Sequence, residues 1–144
     1  MESLGPLLIV EDNAPLRATL AAYLAQVGFQ VETAGNVAEA VQKLAVAYPL
    51  VLSDIRMPGA SGIDFLRELH RLRPEVGIFL MTGYPTVETI IEAKQCGAVA
   101  YFRKPISLPV VAARLRDHLN EMASSASAGQ TTGPAEISVN RTDN

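Results

Sequence analysis

Two apolar runs in this chain end in carboxylates. Leu7-Leu8-Ile9-Val10 runs straight into Glu11-Asp12, and Leu50-Val51-Leu52-Ser53 runs into Asp54, with Met57-Pro58-Gly59 close behind. Further on, Ile78 to Met81 meets Thr82-Gly83, and Ala98 to Phe102 leads to Lys104-Pro105. Carboxylates brought close together repel, and each disfavours ionisation of the others. A divalent cation removes that conflict; a few hard oxygen donors, with water completing the shell, suit Mg²⁺. A carboxylate can also attack a phosphoryl group to give an aspartyl phosphate. That chemistry needs positive charge and hydrogen-bond donors on the transferred oxygens. Glu11, Asp12 and Asp54 are thus candidate cation ligands, Asp54 a candidate nucleophile, Lys104 a candidate counter-charge and Thr82 a candidate donor.

These residues can act together only if the fold brings them to one edge. Five short apolar runs (Leu7 to Val10, Phe29 to Thr33, Leu50 to Ser53, Ile78 to Met81, Ala98 to Phe102) alternate with five stretches of helical spacing. Such alternation marks βαβ units and a parallel sheet. Most runs are apolar at consecutive positions, as expected of strands covered by helices on both faces. In an open parallel sheet, ligands bind beyond the carboxyl ends of the strands, where all the candidates fall.

The helices carry readable signals. Asn13 caps the first, Pro15 sits in its first turn, Leu16, Leu20, Leu24 and Val27 share a face, and Gly28 ends it. Asn36 with Glu39 reads as a capping box for the second, with Ala40, Val41 and Leu44 turned inward. A third helix is expected from Gly62 to Leu72, stopped by Arg73-Pro74, and a fourth from Thr86 to Gln95, before Gly97. Ser107 caps a fifth that carries Pro109 and continues to Met122. The Ser/Thr/Gly/Asn-rich residues 123–144 cannot bury enough surface to offset their chain entropy and are expected to be a disordered tail.

Of the 144 residues, 49% are hydrophobic, ample for one core, here residues 5–122. The formal net charge of -3 speaks against direct nucleic-acid binding. The single cysteine, Cys96, makes no internal disulfide and reads as a small buried hydrophobe. No apolar run reaches the length of a membrane helix and the N-terminus lacks a secretory signal, so a cytoplasmic protein is expected.

The acidic pair Glu11-Asp12, Asp54 with Met57-Pro58-Gly59, Thr82-Gly83 and Lys104-Pro105, in this order and each at a strand end, resemble a response-regulator receiver domain. The match runs from about Leu7 to Met122. The resemblance implies a flavodoxin-like (βα)5 sheet, strand order 2-1-3-4-5. It implies that Asp54 accepts a phosphoryl group from a sensor histidine kinase or a histidine phosphotransfer protein. Glu11, Asp12, Asp54 and the backbone carbonyl of Arg56 would hold Mg²⁺. Tyr101 falls on the family's switch aromatic, with Thr82 as its partner, and the Lys104-Pro105 bond is expected to be cis. Output would pass to an effector protein through helix 4, strand 5 and helix 5. The same face could serve a homodimer, for which the residues themselves give no support. With no second folded domain after the receiver, a single-domain regulator acting by protein contact is expected.

The match departs from the family in Glu11, one methylene longer than the usual aspartate. Bulky Arg56 and Tyr84 flank the path by which water would reach an aspartyl phosphate, and are expected to affect its lifetime. Taken singly, each motif has a plainer reading: Asp54 a turn acid, Glu11-Asp12 or Thr82 a helix cap, Lys104-Pro105 a surface turn, Tyr101 a core aromatic. His70, among Arg67, Arg71 and Arg73, and His118 read as surface residues. Two other functions compete. An aspartate-nucleophile phosphatase would carry a second acid two residues after the nucleophile, where this chain has Arg56. A docking module that is never phosphorylated would be indifferent to Asp54.

Overall fold

The structure, a computed structural model, describes residues 3–56 and 62–128, with side chains through residue 124. Met57-Pro58-Gly59 therefore lies outside the described residues. Strands and helices alternate: β1 Gly5–Val10, α1 Ala14–Val27, β2 Phe29–Ala34, α2 Val37–Lys43, β3 Leu50–Asp54, α3 Gly62–Leu72, β4 Gly77–Thr82, α4 Val87–Gln95, β5 Ala98–Arg103 and α5 Leu108–Ala128. The five strands form one parallel sheet in the order β2-β1-β3-β4-β5. This is the expected flavodoxin-like topology.

Period-two alternation builds a core on each face of the sheet. Leu8, Val10, Val51, Ile78 and Leu80 pack under α2, α3 and α4 with Ala40, Leu66, Leu69 and Ala93. Their neighbours Leu7, Ile9, Leu50, Leu52, Phe79 and Met81 point the other way, against Leu20 and Leu24 of α1 and Val111 and Leu115 of α5. The central strands β1, β3 and β4 therefore need apolar residues at consecutive positions. The edge strands β2 and β5 alternate buried and open positions. Each fully buried side chain of this size is worth about 1.5–3 kcal/mol, so register is strongly specified: a one-residue slip would turn Asp54 away from the site.

Helix ends follow the expected signals with some differences. The Asn13 side chain accepts from the Leu16 amide, and Gly28 adopts φ 127°, where a side chain would be strained. Asn36 accepts from the Glu39 amide, but Glu39 Oε1 accepts from Gly35 rather than from Asn36. Thr86, not Thr82, caps α4, in a reciprocal pair with Thr89. Val41 is 56% exposed, not inward, because the short α2 buries Ala40 against the core and the buried Leu44 follows as its C-cap. Helix α5 continues past Met122 to Ala128; alanine is the best helix former, and three of residues 123–128 are alanine.

Neither histidine is the surface residue expected. The His118 ring lies over Gly77, where an added Cβ would sit 2.7 Å from Nε2, and meets Phe79 edge-on at 5.5 Å. Burial lowers its pKa, with Glu121 opposing and Arg114 reinforcing the shift. The His70 ring covers Gly97, which has φ +70°. Both rings fill space that a glycine leaves open, a pairing invisible without the tertiary structure. Cys96 is fully buried, as expected. No helix among the described residues is long and apolar enough to cross a membrane.

Candidate functional site

The sheet register assembles the site. Val10 pairs with Ser53, so Glu11 and Asp54 leave adjacent strands at the same level. Asp54 pairs with Met81, and Thr82 pairs with Arg103, just before Lys104. With strands about 4.8 Å apart, residues far apart in the chain become neighbours at one edge. Two backbone bonds seal the rows: Ile55 donates to the Met81 carbonyl at 3.0 Å and Lys104 to the Thr82 carbonyl at 2.8 Å. The Lys104-Pro105 bond is cis.

Lys104 Nζ donates to Asp54 Oδ2 at 2.6 Å and to Glu11 Oε1 at 3.1 Å. The Glu11 side chain is 1% exposed and that of Asp54 9%, whereas Lys104 is 25% exposed. The remaining carboxylate oxygens are held from the backbone. Asn13 N donates to Glu11 Oε2 at 3.1 Å, and Arg56 N to Asp54 Oδ1 at 2.8 Å. Asp12 is exposed, and one oxygen from each of Glu11, Asp12 and Asp54 lies within 4.8 Å of the others. Burial raises the Glu11 pKa, helped by the Asp54 charge and opposed by the Asn13 amide and Lys104. For Lys104, burial pulls the pKa down, but Asp54 and Glu11 outweigh it and the net shift is upward. Three carboxylates face one ammonium, so the cluster has an excess of negative charge. Hard oxygen donors this close fit a small divalent cation, and the added methylene of Glu11 does not keep it out of reach.

Thr82 is buried, and its Oγ1 accepts from the Tyr84 amide at 3.1 Å, which leaves the hydroxyl hydrogen available to donate. Thr82 and Tyr101 line the same narrow crevice with Ile55, Leu80, Thr89, Ile90 and Ala93. Tyr101 is half-buried against the core there. Arg56 is exposed and Tyr84 is 75% exposed beside the site. The structure thus gathers Glu11, Asp12, Asp54 and Lys104 into one cluster, with Thr82 on the adjoining strand end and Tyr101 behind it.

One neighbour was not anticipated. Arg17 Nη1 donates to the Glu11 carbonyl at 2.8 Å. The sequence holds no motif for it, only a weak pointer. A cation near the start of a helix is disfavoured by the helix dipole, so Arg17 needs another reason to be there, and the backbone of the acidic pair is that reason.

The family model of the response regulator receiver domain matches residues 7–116. The chain is 38% identical over 109 residues to the regulatory protein AtoC of Escherichia coli, covering 75% of this chain and 24% of that protein. It is 39% identical over 129 residues to the transcriptional regulatory protein AruR of Pseudomonas aeruginosa, covering 85% of this chain and 52% of that one. The chain therefore spans about a quarter to a half of the length of these curated relatives. Among solved structures, a CheY-like response regulator receiver domain protein from Methanospirillum hungatei superposes with a TM-score of 0.81 at 29% identity, over 85% of this chain and 99% of that one.

Proposed function

Since this chain belongs to the response regulator receiver domain family of two-component signalling, we propose that Asp54 is its phosphoryl acceptor and that Glu11, Asp12, Asp54 and the Arg56 carbonyl hold Mg²⁺. The observation that carries this reading is the bridge from Lys104 to both Asp54 and Glu11, beside three converging carboxylates. A bound Mg²⁺ supplies charge neutralisation for the carboxylates and for the oxygens of the transferred group. The chain's own residues do the rest. A carboxylate oxygen of Asp54 forms the bond to phosphorus as the bond to the donor's imidazole nitrogen breaks. The leaving imidazole takes up a proton. β3 and the Arg56 amide hold Asp54 rigidly for attack. Lys104 follows the developing charge from the carboxylate to a phosphoryl oxygen.

The phosphoryl group brings about -1.5 to -2 of charge and strong acceptor oxygens. The Thr82 hydroxyl turns to donate to one of them. Thr82 and Tyr101 line one crevice, so the space the hydroxyl vacates is the space into which the tyrosine turns. That biases a two-state surface formed by α4, β5 and α5, which is the face offered to an effector protein or a second copy. The donor is a sensor histidine kinase or histidine phosphotransfer protein, and the only reactions catalysed are the domain's own phosphorylation and dephosphorylation, in the cytoplasm. The second acid of an aspartate-nucleophile phosphatase is absent, Arg56 standing in its place.

Acetyl phosphate with Mg²⁺ should add one phosphoryl group by intact mass, and Asp54→Asn should abolish the gain. Equal labelling of Asp54→Asn would refute the acceptor. Steady turnover of an aryl phosphate would favour the phosphatase instead.

A further inference from the structure

Glu11 is held at every polar point. Its amide donates to the Ala34 carbonyl at 3.0 Å, Oε1 and Oε2 accept from Lys104 and Asn13, and its carbonyl accepts from Arg17. Asp12 differs. Its side chain is exposed, and no hydrogen bond from the described residues holds its carboxylate. The direction of that carboxylate is set by the backbone, first of all by the Glu11–Asp12 peptide, whose carbonyl Arg17 grips.

Arg17 is itself seated. Its guanidinium lies against Gly35, at the end of β2, where an added Cβ would stand 3.0 Å from Nη1 and 3.5 Å from Cζ. The Gly35 amide donates to Glu39 Oε1 at 2.7 Å, which fixes the turn into α2. Arg17 thereby ties the start of α1, the end of β1 and the β2–α2 turn into one unit behind the acidic pair.

We propose that Arg17 is a positioning residue: by holding the Glu11–Asp12 peptide against Gly35, it aims the Asp12 carboxylate at the cation site. The inference rests on the Mg²⁺ reading of Glu11, Asp12 and Asp54. It makes a prediction opposite in sign to that of a simple charge effect. A cation near three carboxylates competes electrostatically with Mg²⁺, so its removal should tighten binding. Loss of a group that orients a ligand loosens it, typically by tenfold or more. A residue that serves the fold alone would lower the melting temperature and leave Mg²⁺ affinity unchanged.

The experiment is calorimetric titration of the full chain with Mg²⁺, with melting followed in parallel. Wild type, Arg17→Met, Arg17→Lys and Gly35→Ala are compared. The Mg²⁺ dissociation constant should rise roughly tenfold in Arg17→Met. Arg17→Lys, which keeps a donor, should recover part of that loss. Gly35→Ala keeps the Arg17 side chain and its charge, yet crowds the guanidinium and pushes it aside by a few tenths of an ångström; it should weaken Mg²⁺ by a smaller factor in the same direction. It also keeps the inference falsifiable should Arg17→Met fail to fold. Unchanged or tighter Mg²⁺ binding in folded Arg17→Met, or in Gly35→Ala if Arg17→Met is unfolded, would overturn the positioning role and leave the site reading intact. A wild type that does not bind Mg²⁺ would overturn both.

Discussion

Replacing Lys104 with Met keeps most of the side chain's volume but removes the one ammonium among the described residues that bonds the two buried carboxylates. Breaking a fully buried ion pair from one side costs about 3–5 kcal/mol, because it leaves an uncompensated charge. Lys104 is 25% exposed, so water recovers part of that loss; about 2–3 kcal/mol is the expected destabilisation. For a domain of this size, that is a fall in Tm of roughly 6–15 °C. The assay is thermal melting by circular dichroism at neutral pH with EDTA. Two further signs follow. The Glu11 pKa is raised, chiefly by burial. A carboxyl whose folded pKa lies above its unfolded value destabilises the fold at high pH and is relieved as pH falls through the folded pKa. Lys104 holds that pKa down, so its loss should raise it further in the variant, and the gap between Lys104→Met and wild type should narrow on acidification. Added Mg²⁺ should raise the Tm of the variant more than that of wild type, since the divalent charge replaces the one removed. A Tm within about 2 °C of wild type in EDTA, below the smallest shift that this reasoning allows, would show that Lys104 does not neutralise the cluster.

Arg56 and Tyr84 stand exposed beside Asp54 and Thr82, and Arg56→Ala and Tyr84→Ala should each shorten the life of the phosphorylated form, by roughly 2- to 10-fold if each shields about 0.4–1.4 kcal/mol of barrier; unchanged decay by intact mass would count against shielding. His118, its pKa lowered first of all by burial, should make wild type lose stability as pH falls below the ordinary value of 6.5 toward the folded value, and level off beneath it; denaturant melts of His118→Leu should lack that slope. Gly97→Ala places a Cβ against the His70 ring at φ +70°, and should cost about 1–3 kcal/mol in urea unfolding. His70→Ala should remove the clash but not the backbone strain, so the double variant should recover only part of the loss.

Much of this protein is legible in its sequence. Consecutive apolar runs such as Leu7 to Val10 and Ile78 to Met81 mark central strands, because only a strand covered on both faces needs apolar residues at every position. The caps at Asn13 and Asn36 and the glycine at position 28 are local signals, read from a few neighbouring residues. The carboxylates, threonine and lysine could be gathered from the strand ends alone, since parallel topology sends all those ends to one edge. Other features depend on residues distant in the chain. The sequence places Lys104 near the acids but does not show that one ammonium bridges Asp54 and Glu11 while Asp12 stays exposed. Arg17 carries no motif, and its role appears only when β1, α1 and Gly35 meet. His70 and His118 read as surface residues until Gly97 and Gly77, on other elements, leave room for their rings. Local hydrogen bonding and hydrophobic periodicity are encoded over a few residues and survive in one dimension; the fit of a side chain into space left by a distant glycine exists only once the chain has closed on itself.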